Sequence, residues 1–332
     1  MSKLLEVKNL KTTFKQNAKS VTVVDGVDFQ LASGETLGIV GESGCGKSVT
    51  SLSIMRLLGK KAEITGDIQF QNLPLLQLSE KEMRTIRGNK MAMIFQEPMT
   101  SLNPLHTVGK QICEPLRKHL GFSKQEAKSK AIQLLQEVGI PRAEEIFTSH
   151  PHQLSGGMRQ RVMIAMAMAC QPKLIIADEP TTALDVTIQA QILDLMKKVK
   201  QENETSIILI THDLGVVAEM CDRVVVMYAG KVIEETDVKT LFRQPKHPYT
   251  IGLLNSMPDV VNNQERLQAI PGNVPMFHEM PEGCRFAPRC SQAMDICTGK
   301  MPDLHSVSDS HRVRCWLMKE EEVPHEQALV RN

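Results

Sequence analysis

The sequence lacks an excess of charge of either sign: 39 Lys and Arg face 38 Asp and Glu, for a formal net charge of +1 with histidine neutral. No global field therefore draws the chain to nucleic acid or anionic lipid, and partners must be recognised locally. Long apolar stretches are missing too. Runs such as 162–170 and 206–210 fall well short of the roughly 20 residues that cross a bilayer as a helix. The opening Met1-Ser2-Lys3-Leu4-Leu5-Glu6 soon enters an alternating pattern, without the basic, apolar and small-residue regions of a secretory signal. These absences predict a chain without its own membrane span that works in the cytoplasm, where structural disulfides are disfavoured. The eight cysteines then need other uses. Cys45, Cys113, Cys170 and Cys221 are scattered, whereas Cys284, Cys290, Cys297 and Cys315 crowd into the last fifth of the chain.

A length of 332 residues suffices for a large core with a smaller appendage. Strand patterns at 4–10 and 21–31 are followed by a short buried strand at 35–40 and a helix at 47–58. Further strands at 64–70 and 91–95 flank a polar helix near 79–87. From about 102 the pattern turns helical, and 124–138 places Ala127, Ala131, Leu134, Leu135 and Val138 on one face. Strand signals at 174–177, 206–211 and 224–228 then alternate with helices at 186–199 and 214–220, which predicts right-handed crossovers over a parallel sheet. Past about 244, prolines at 245, 248, 258, 271, 275, 281, 288 and 302 break any long regular element. The expected organisation is an α/β domain over 1–243 with a helical insert at about 102–170. A small irregular extension at 244–319 and a flexible polar tail at 320–332 complete it.

Two stretches carry chemistry by themselves. Gly41-Glu42-Ser43-Gly44-Cys45-Gly46-Lys47-Ser48 fits GxxxxGK[ST] between a buried strand and a helix, the context a phosphate-binding loop requires. Its glycines let backbone N–H groups face phosphate oxygens, the helix that starts at Lys47 and carries Val49 in its first turn aims its positive end there, Lys47 reaches the β and γ phosphates of ATP, and Ser48 ligates Mg2+. The alternative is an ordinary glycine turn before a helix. Leu174-Ile175-Ile176-Ala177-Asp178-Glu179-Pro180 is an apolar strand ending in two carboxylates. Asp178 would hold magnesium and Glu179 would polarise the attacking water as general base. A strand surfacing into an acidic loop explains one carboxylate but not the pairing with a phosphate loop.

Leu154-Ser155-Gly156-Gly157-Met158 resembles the LSGGQ signature of the ABC ATPases, with Met158 in place of glutamine. A serine hydroxyl, bare glycine amides and a helix dipole make a second anion site. One loop already occupies the chain's own nucleotide, so this site is expected to serve a partner's ATP and implies a dimer. The resemblance further implies roles for Gln96 in magnesium sensing, for His212 at the γ-phosphate, for Ala183-Leu184-Asp185 at the dimer interface, and for Phe14 stacked on adenine. It implies the fold as well: a P-loop NTPase (RecA-like) cassette with an antiparallel β subdomain and a helical insert. Residues 94–104, 177–189 and His247-Pro248-Tyr249-Thr250 are similar to the D-type ATP-binding subunits of dipeptide and oligopeptide permeases. That subfamily implies a heterodimer with a second ABC ATPase, two membrane permease subunits, an external solute-binding protein, and a place on the cytoplasmic face of the membrane. The permease-coupling surface is expected near Gln96 and the insert around Leu102.

Cys284, Cys290, Cys297 and Cys315 are separated by five, six and seventeen residues. Four soft ligands in a reducing compartment suggest a metal, but paired zinc knuckles and the bacterial ferredoxin run are both absent, so spacing leaves the metal open. The subfamily's Cys-Pro-rich tail, which Cys284-Arg285-Phe286-Ala287-Pro288-Arg289-Cys290 resembles, implies a [4Fe–4S] cluster ahead of zinc, with plain reduced thiols the remaining choice. Cys45 reads as a small tolerated residue, and Cys113, Cys170 and Cys221 as core filler. Two other functions stay in view: a soluble ABC ATPase without a transporter, and an iron–sulfur regulator that only senses ATP. The lack of a coiled-coil interruption or basic arm weighs against the first. The intact Lys47, Asp178, Glu179 and His212 weigh against the second.

Overall fold

The computed structural model describes residues 2–16, 19–182, 184–256, 270–276 and 279–318; the tail expected at 320–332 and Ala183 lie outside them. β1 (Lys3–Gln16) and β2 (Lys19–Ala32) pair antiparallel as a long hairpin. Leu5, Val7 and Leu10 face Val27, Phe29 and Leu31 in the core, while Lys8 and Lys11 are exposed, the alternation of a sheet with one covered face. β1 runs past the apolar pattern at 4–10 because Thr12 continues the inward row. Its hydroxyl pairs with that of Ser53 at 2.7 Å in a fully buried position. β3 (Thr36–Val40) leaves for a second sheet, and β4 (Ala62–Phe70) and β5 (Leu73–Pro74) return to complete the order β2-β1-β4-β5.

The second sheet adds β6 (Met91–Ile94), β7 (Leu174–Asp178), β8 (Ser206–Thr211), β9 (Arg223–Tyr228), β10 (Lys231–Asp237), β11 (His305–Ser308) and β12 (His311–Val313), in the order β11-β12-β10-β9-β3-β8-β7-β6. β9, β3, β8, β7 and β6 run parallel, and β3, β7 and β8 are buried along their whole length. Their unbroken apolar sequence is that of strands covered on both faces. Three helices of the first half are α1 (Lys47–Ile54), α2 (Glu80–Ile86) and α3 (Pro98–Ser101). α1 is shorter than the 47–58 pattern predicts, since Arg56 takes φ +50° and sends its guanidinium to the Leu75 and Leu78 carbonyls.

The helical insert contains α4 (Val108–Leu120), α5 (Lys124–Glu137), α6 (Ala143–Thr148) and α7 (Gly156–Met168). Thr107, Ser123 and Ser155 cap α4, α5 and α7, each accepting an N–H from three residues on. Ala127, Ala131, Leu134, Leu135 and Val138 form one buried face, as their spacing requires. α8 (Val186–Asn203) and α9 (Leu214–Met220) are the crossovers of the parallel sheet.

α10 (Val238–Arg243), α11 (Pro248–Asn255) and α12 (Asp295–Gly299) are as short as the prolines demand. The stretch after 244 is nevertheless more regular than its composition suggests, and it shares the cassette's core. β12 pairs with β10 through Glu234 and Val313 and through Glu235 and Arg312. Glu234, fully buried, accepts the N–H groups of Lys246 and His247 at 2.7 and 2.9 Å and faces His311 Nε2 at 2.8 Å. Tyr228 of β9 meets Tyr249 and Phe286 with ring centroids 4.8 and 5.3 Å away.

His247 sits inside this joint. Its Nδ1 accepts the Tyr249 N–H at 3.0 Å and caps α11, and burial pushes its pKa down from 6.5 to about 3. The unfolded chain therefore binds a proton that the folded chain refuses. The contribution is complete above about pH 6.5 and is lost as pH falls towards 3, by about 1.4 kcal/mol per pH unit inside that window. The thermal midpoint of the wild type should fall more steeply below pH 6.5 than that of His247→Asn, which keeps a capping acceptor but takes up no proton. Parallel curves for the two proteins would remove His247 as the acid-sensitive group.

Candidate nucleotide site and cysteine cluster

The phosphate loop joins β3 to α1, with Gly41 at φ +152°, Gly44 at +80° and Gly46 at +97°. A Cβ on Gly41 would lie 2.2 Å from the Met227 carbonyl oxygen, so only glycine fits where the loop crosses β9. Lys47 is buried, and its Nζ donates to the carbonyls of Gly41 and Glu42 at 2.7 and 3.1 Å. Those bonds hold the ammonium over the loop that receives phosphate. Cys45 is buried beneath it, with Lys47 Nζ 3.8 Å from its sulfur, and burial pushes its thiol up. Ser43 and Gly44 are exposed at the rim, and Val49 is half-buried in the first turn of α1.

β7 delivers Asp178 to the same place: Ser48 Oγ donates to Asp178 Oδ1 at 3.0 Å. Burial raises the Asp178 pKa, with Ser48 and Lys47 pulling it down and the Glu179 charge pushing it up. A hydroxyl and an adjacent carboxylate are the hard oxygen donors that magnesium takes alongside water and phosphate, so the pair fits Mg2+. Glu179 turns away from the strand at φ +47°, anchored by its N–H to the Ile210 carbonyl at 2.9 Å. An unforced glutamate rarely adopts that conformation, and such strain is concentrated at working sites. Three groups converge on its carboxylate. Gln96 Nε2 and Thr182 Oγ1 each donate to Oε2 at 2.9 Å, and His212 Nδ1 lies 3.3 Å from Oε1.

The remaining candidates stand apart from this network. Ser155 Oγ accepts the Met158 N–H at 3.3 Å, and Gly157 packs against Ile188, where a Cβ would meet the methyl at 3.0 Å. Gly156 is exposed with open space beside it. Asp185 caps α8 through the Ile188 N–H at 2.9 Å. Among the described residues no hydrogen bond links Ser155 or Asp185 to residues 41–48. Phe14 is half-buried on β1 opposite Val21.

In the extension the Cys284 N–H bonds the Cys297 carbonyl at 2.8 Å, and burial sends the Cys315 pKa up to about 11, with smaller contributions from Cys284, Cys290 and Cys297. Backbone N–H groups are aimed at the sulfurs, those of Phe286 and Ala287 at Cys284, of Gln292 at Cys290 and of Leu317 at Cys315. Burial outweighs these donors and raises the thiol pKa of Cys284, Cys290 and Cys315. Among the described residues no group of three or more His, Cys, Asp or Glu is arranged to hold a metal ion. Neither the [4Fe–4S] cluster that the resemblance puts first nor zinc is supported by this arrangement.

Sequence reasoning missed Thr182, Tyr249 and two arginines. The Tyr249 hydroxyl accepts the Glu42 N–H at 2.8 Å. Arg285 donates to Asp25 at 2.6 Å and to the Ala229 carbonyl, and Arg289 forks onto Glu42. Each lies in a stretch that carries the permease resemblance, Thr182 in 177–189, Tyr249 in 247–250 and the arginines in 284–290, but none was assigned a role there.

The comparisons agree with this geometry. The family described as ABC transporter matches residues 24–182, and that described as Oligopeptide/dipeptide transporter, C-terminal region, matches 233–297. The chain is 55% identical over 323 residues to the oligopeptide transport ATP-binding protein AppD of Bacillus subtilis (strain 168), covering 97% of this chain and 98% of that one. It is 53% identical over 319 residues to the dipeptide transport ATP-binding protein DppD of the same organism, covering 96% and 95%. A dimeric structure of a post-hydrolysis state of the ATP-binding cassette MJ0796 bound to ADP and Pi superposes with a TM-score of 0.64 at 31% identity, covering 71% of this chain and 99% of that one. With a phosphate loop, a carboxylate-ended strand and a cysteine-bearing extension in one fold, the chain belongs to the ATP-binding proteins of ABC transporters, in their oligopeptide and dipeptide group.

Proposed function

We propose that this chain is the ATP-hydrolysing subunit of a peptide importer, working on the cytoplasmic face of the membrane as a heterodimer with a second ABC ATPase. Two permease subunits and an external solute-binding protein complete the assembly. The convergence of Gln96, Thr182 and His212 on Glu179, beside the Ser48–Asp178 pair, is the observation that carries the reading. Peptide cargo is supported by the relatives, which are oligopeptide and dipeptide transport ATP-binding proteins. No helix among the described residues is long and apolar enough to cross a membrane, so the permease is expected to be a separate chain.

In this reading Lys47 would turn from its own loop's carbonyls to the β and γ phosphates of ATP, while Ser48, Asp178 and Gln96 would hold magnesium. The metal, when bound, draws charge off the β and γ oxygens. Glu179 takes the proton of the attacking water, His212 contacts the γ-phosphate, and Phe14 stacks on adenine. Ser155, Gly156 and Gly157 complete the partner's site, with Asp185 at the interface. The cassette and the extension, 1–243 and 244–319, act as two functional units. In the extension Cys284, Cys290, Cys297 and Cys315 would hold a [4Fe–4S] cluster of structural or regulatory use, as the resemblance of 284–290 to the subfamily's Cys-Pro-rich tail implies.

The permease would seat in an apolar groove of about 270 Å³ between the two halves of the cassette, lined by Leu57, Phe95, Leu102, Pro115 and Met163. Phe95 and Leu57 are 38% and 40% exposed there, and Phe95 adjoins Gln96, so a load on the groove reaches the Glu179 carboxylate through one side chain. Purification without oxygen from detergent-extracted membranes is the test. A second ATPase, a permease pair and about four irons per chain are expected to come with the wild type. Phe95→Ser should lose the permease and keep the iron. A wild-type chain without a permease would remove the importer reading, and one without iron the cluster.

A further inference from the structure

We infer that Arg289 is a positioning residue of the nucleotide site, a positive charge carried from the cysteine-rich extension to the phosphate loop, where it cancels the charge of Glu42. The inference rests on reading residues 41–48 as the loop that holds ATP.

Arg289 directly precedes Cys290 and is remote from the loop in sequence. Its guanidinium nevertheless makes two parallel bonds to the Glu42 carboxylate, Nη1 to Oε2 at 2.6 Å and Nη2 to Oε1 at 3.0 Å. Such a fork fixes both distance and plane. The rest of the guanidinium is satisfied by the Pro271 carbonyl at 2.9 Å, the Ile270 carbonyl at 3.4 Å and the Tyr228 hydroxyl at 3.4 Å. It lies 5.8 and 6.0 Å from the ring centroids of Tyr228 and Phe286. Only 4% of the Arg289 side chain is exposed, against 30% for Glu42. The Tyr249 hydroxyl takes the Glu42 N–H at 2.8 Å, so both the main chain and the side chain of this loop residue are held by groups from beyond 244.

The location gives the pair its consequence. Glu42 follows Gly41, and its own carbonyl accepts a bond from Lys47 Nζ. A bare carboxylate on this loop would oppose the arriving triphosphate, and a unit charge within about 10 Å of it changes affinity by on the order of tenfold. A bond that merely staples the extension down would act through folding and would ignore the sign of the charge. A bond that neutralises the loop acts on ATP affinity with opposite signs at its two ends.

Equilibrium titration of the full-length chain with ATP separates the two. Arg289→Gln is expected to weaken binding about tenfold, raising KM more than it changes kcat, and Glu42→Gln to bind more tightly than wild type. The double variant should return to within about twofold of wild type, with every difference shrinking as salt is raised. Wild-type affinity in Arg289→Gln, or a double variant as weak as Arg289→Gln, would overturn the inference. If circular dichroism shows Arg289→Gln unfolded, Glu42→Gln decides alone: tighter binding supports the pairing, and equal or weaker binding overturns it. A wild-type chain that binds no ATP would instead remove the nucleotide reading on which the pairing rests.

Discussion

Glu179→Gln should lower ATP hydrolysis by the assembled transporter by two to four orders of magnitude while leaving ATP bound, the range that a well-placed general base contributes. The argument begins with the backbone. At φ +47° the residue leaves the line of β7, and the bond from its N–H to the Ile210 carbonyl fixes that turn. Its carboxylate is then met by Gln96, Thr182 and His212, while Asp178, one residue earlier, faces Ser48. Glutamine keeps the size and the hydrogen-bonding reach but accepts no proton at neutral pH. On the proposed site, binding through Lys47 and the loop glycines would be untouched by the change, so a single-turnover experiment should show ATP retained and a dimer that persists with Mg-ATP. Hydrolysis at the wild-type rate would take the base assignment from Glu179 and pass it to another group of the cluster.

The sequence displayed those parts of the site that a local rule dictates. Gly41 and Gly46 are visible because their backbone angles exclude other residues and because a phosphate loop must stand between a buried strand and a helix. Asp178 and Glu179 stand out because an apolar strand covered on both faces has no other reason to end in two carboxylates. The parallel sheet was legible for the same reason, and the helical insert through its inward alanines and leucines. What stayed hidden depends on segments that meet only in three dimensions. β12 is three residues long and gains its place from a neighbour some 80 residues earlier, so no periodicity marks it. Arg289 and Glu42 are 247 positions apart, and neither is unusual alone. Thr182 is one threonine of a loop until Glu179 turns towards it. Charge pairs of this kind have no spacing rule, whereas capping, alternation and phosphate loops do.

The second large effect is expected at Gly156, where stability and function should move in opposite directions. Gly156 is the first residue of α7, Ser155 caps the helix through the Met158 N–H, and a Cβ at 156 would meet nothing within 4 Å. An aspartate fits there without strain, and its charge at a helix N-terminus favours the fold by about 0.3–1 kcal/mol. The purified Gly156→Asp chain should therefore melt at or above the wild-type temperature and bind ATP through Lys47 with unchanged affinity. On the proposed two-chain site the assembled transporter should suffer, because those N–H groups would be offered to a γ-phosphate held by the partner subunit. Two unit charges about 4 Å apart at an effective dielectric of 20 repel by about 4 kcal/mol, a loss of on the order of a hundredfold or more in closing that site. The Mg-ATP dimer trapped by Glu179→Gln should likewise fail to form when Gly156→Asp is added, as read by sedimentation. Wild-type hydrolysis together with an intact trapped dimer would show that the serine-glycine cap meets no nucleotide, and the two-chain site would have to be abandoned even with the phosphate loop secure.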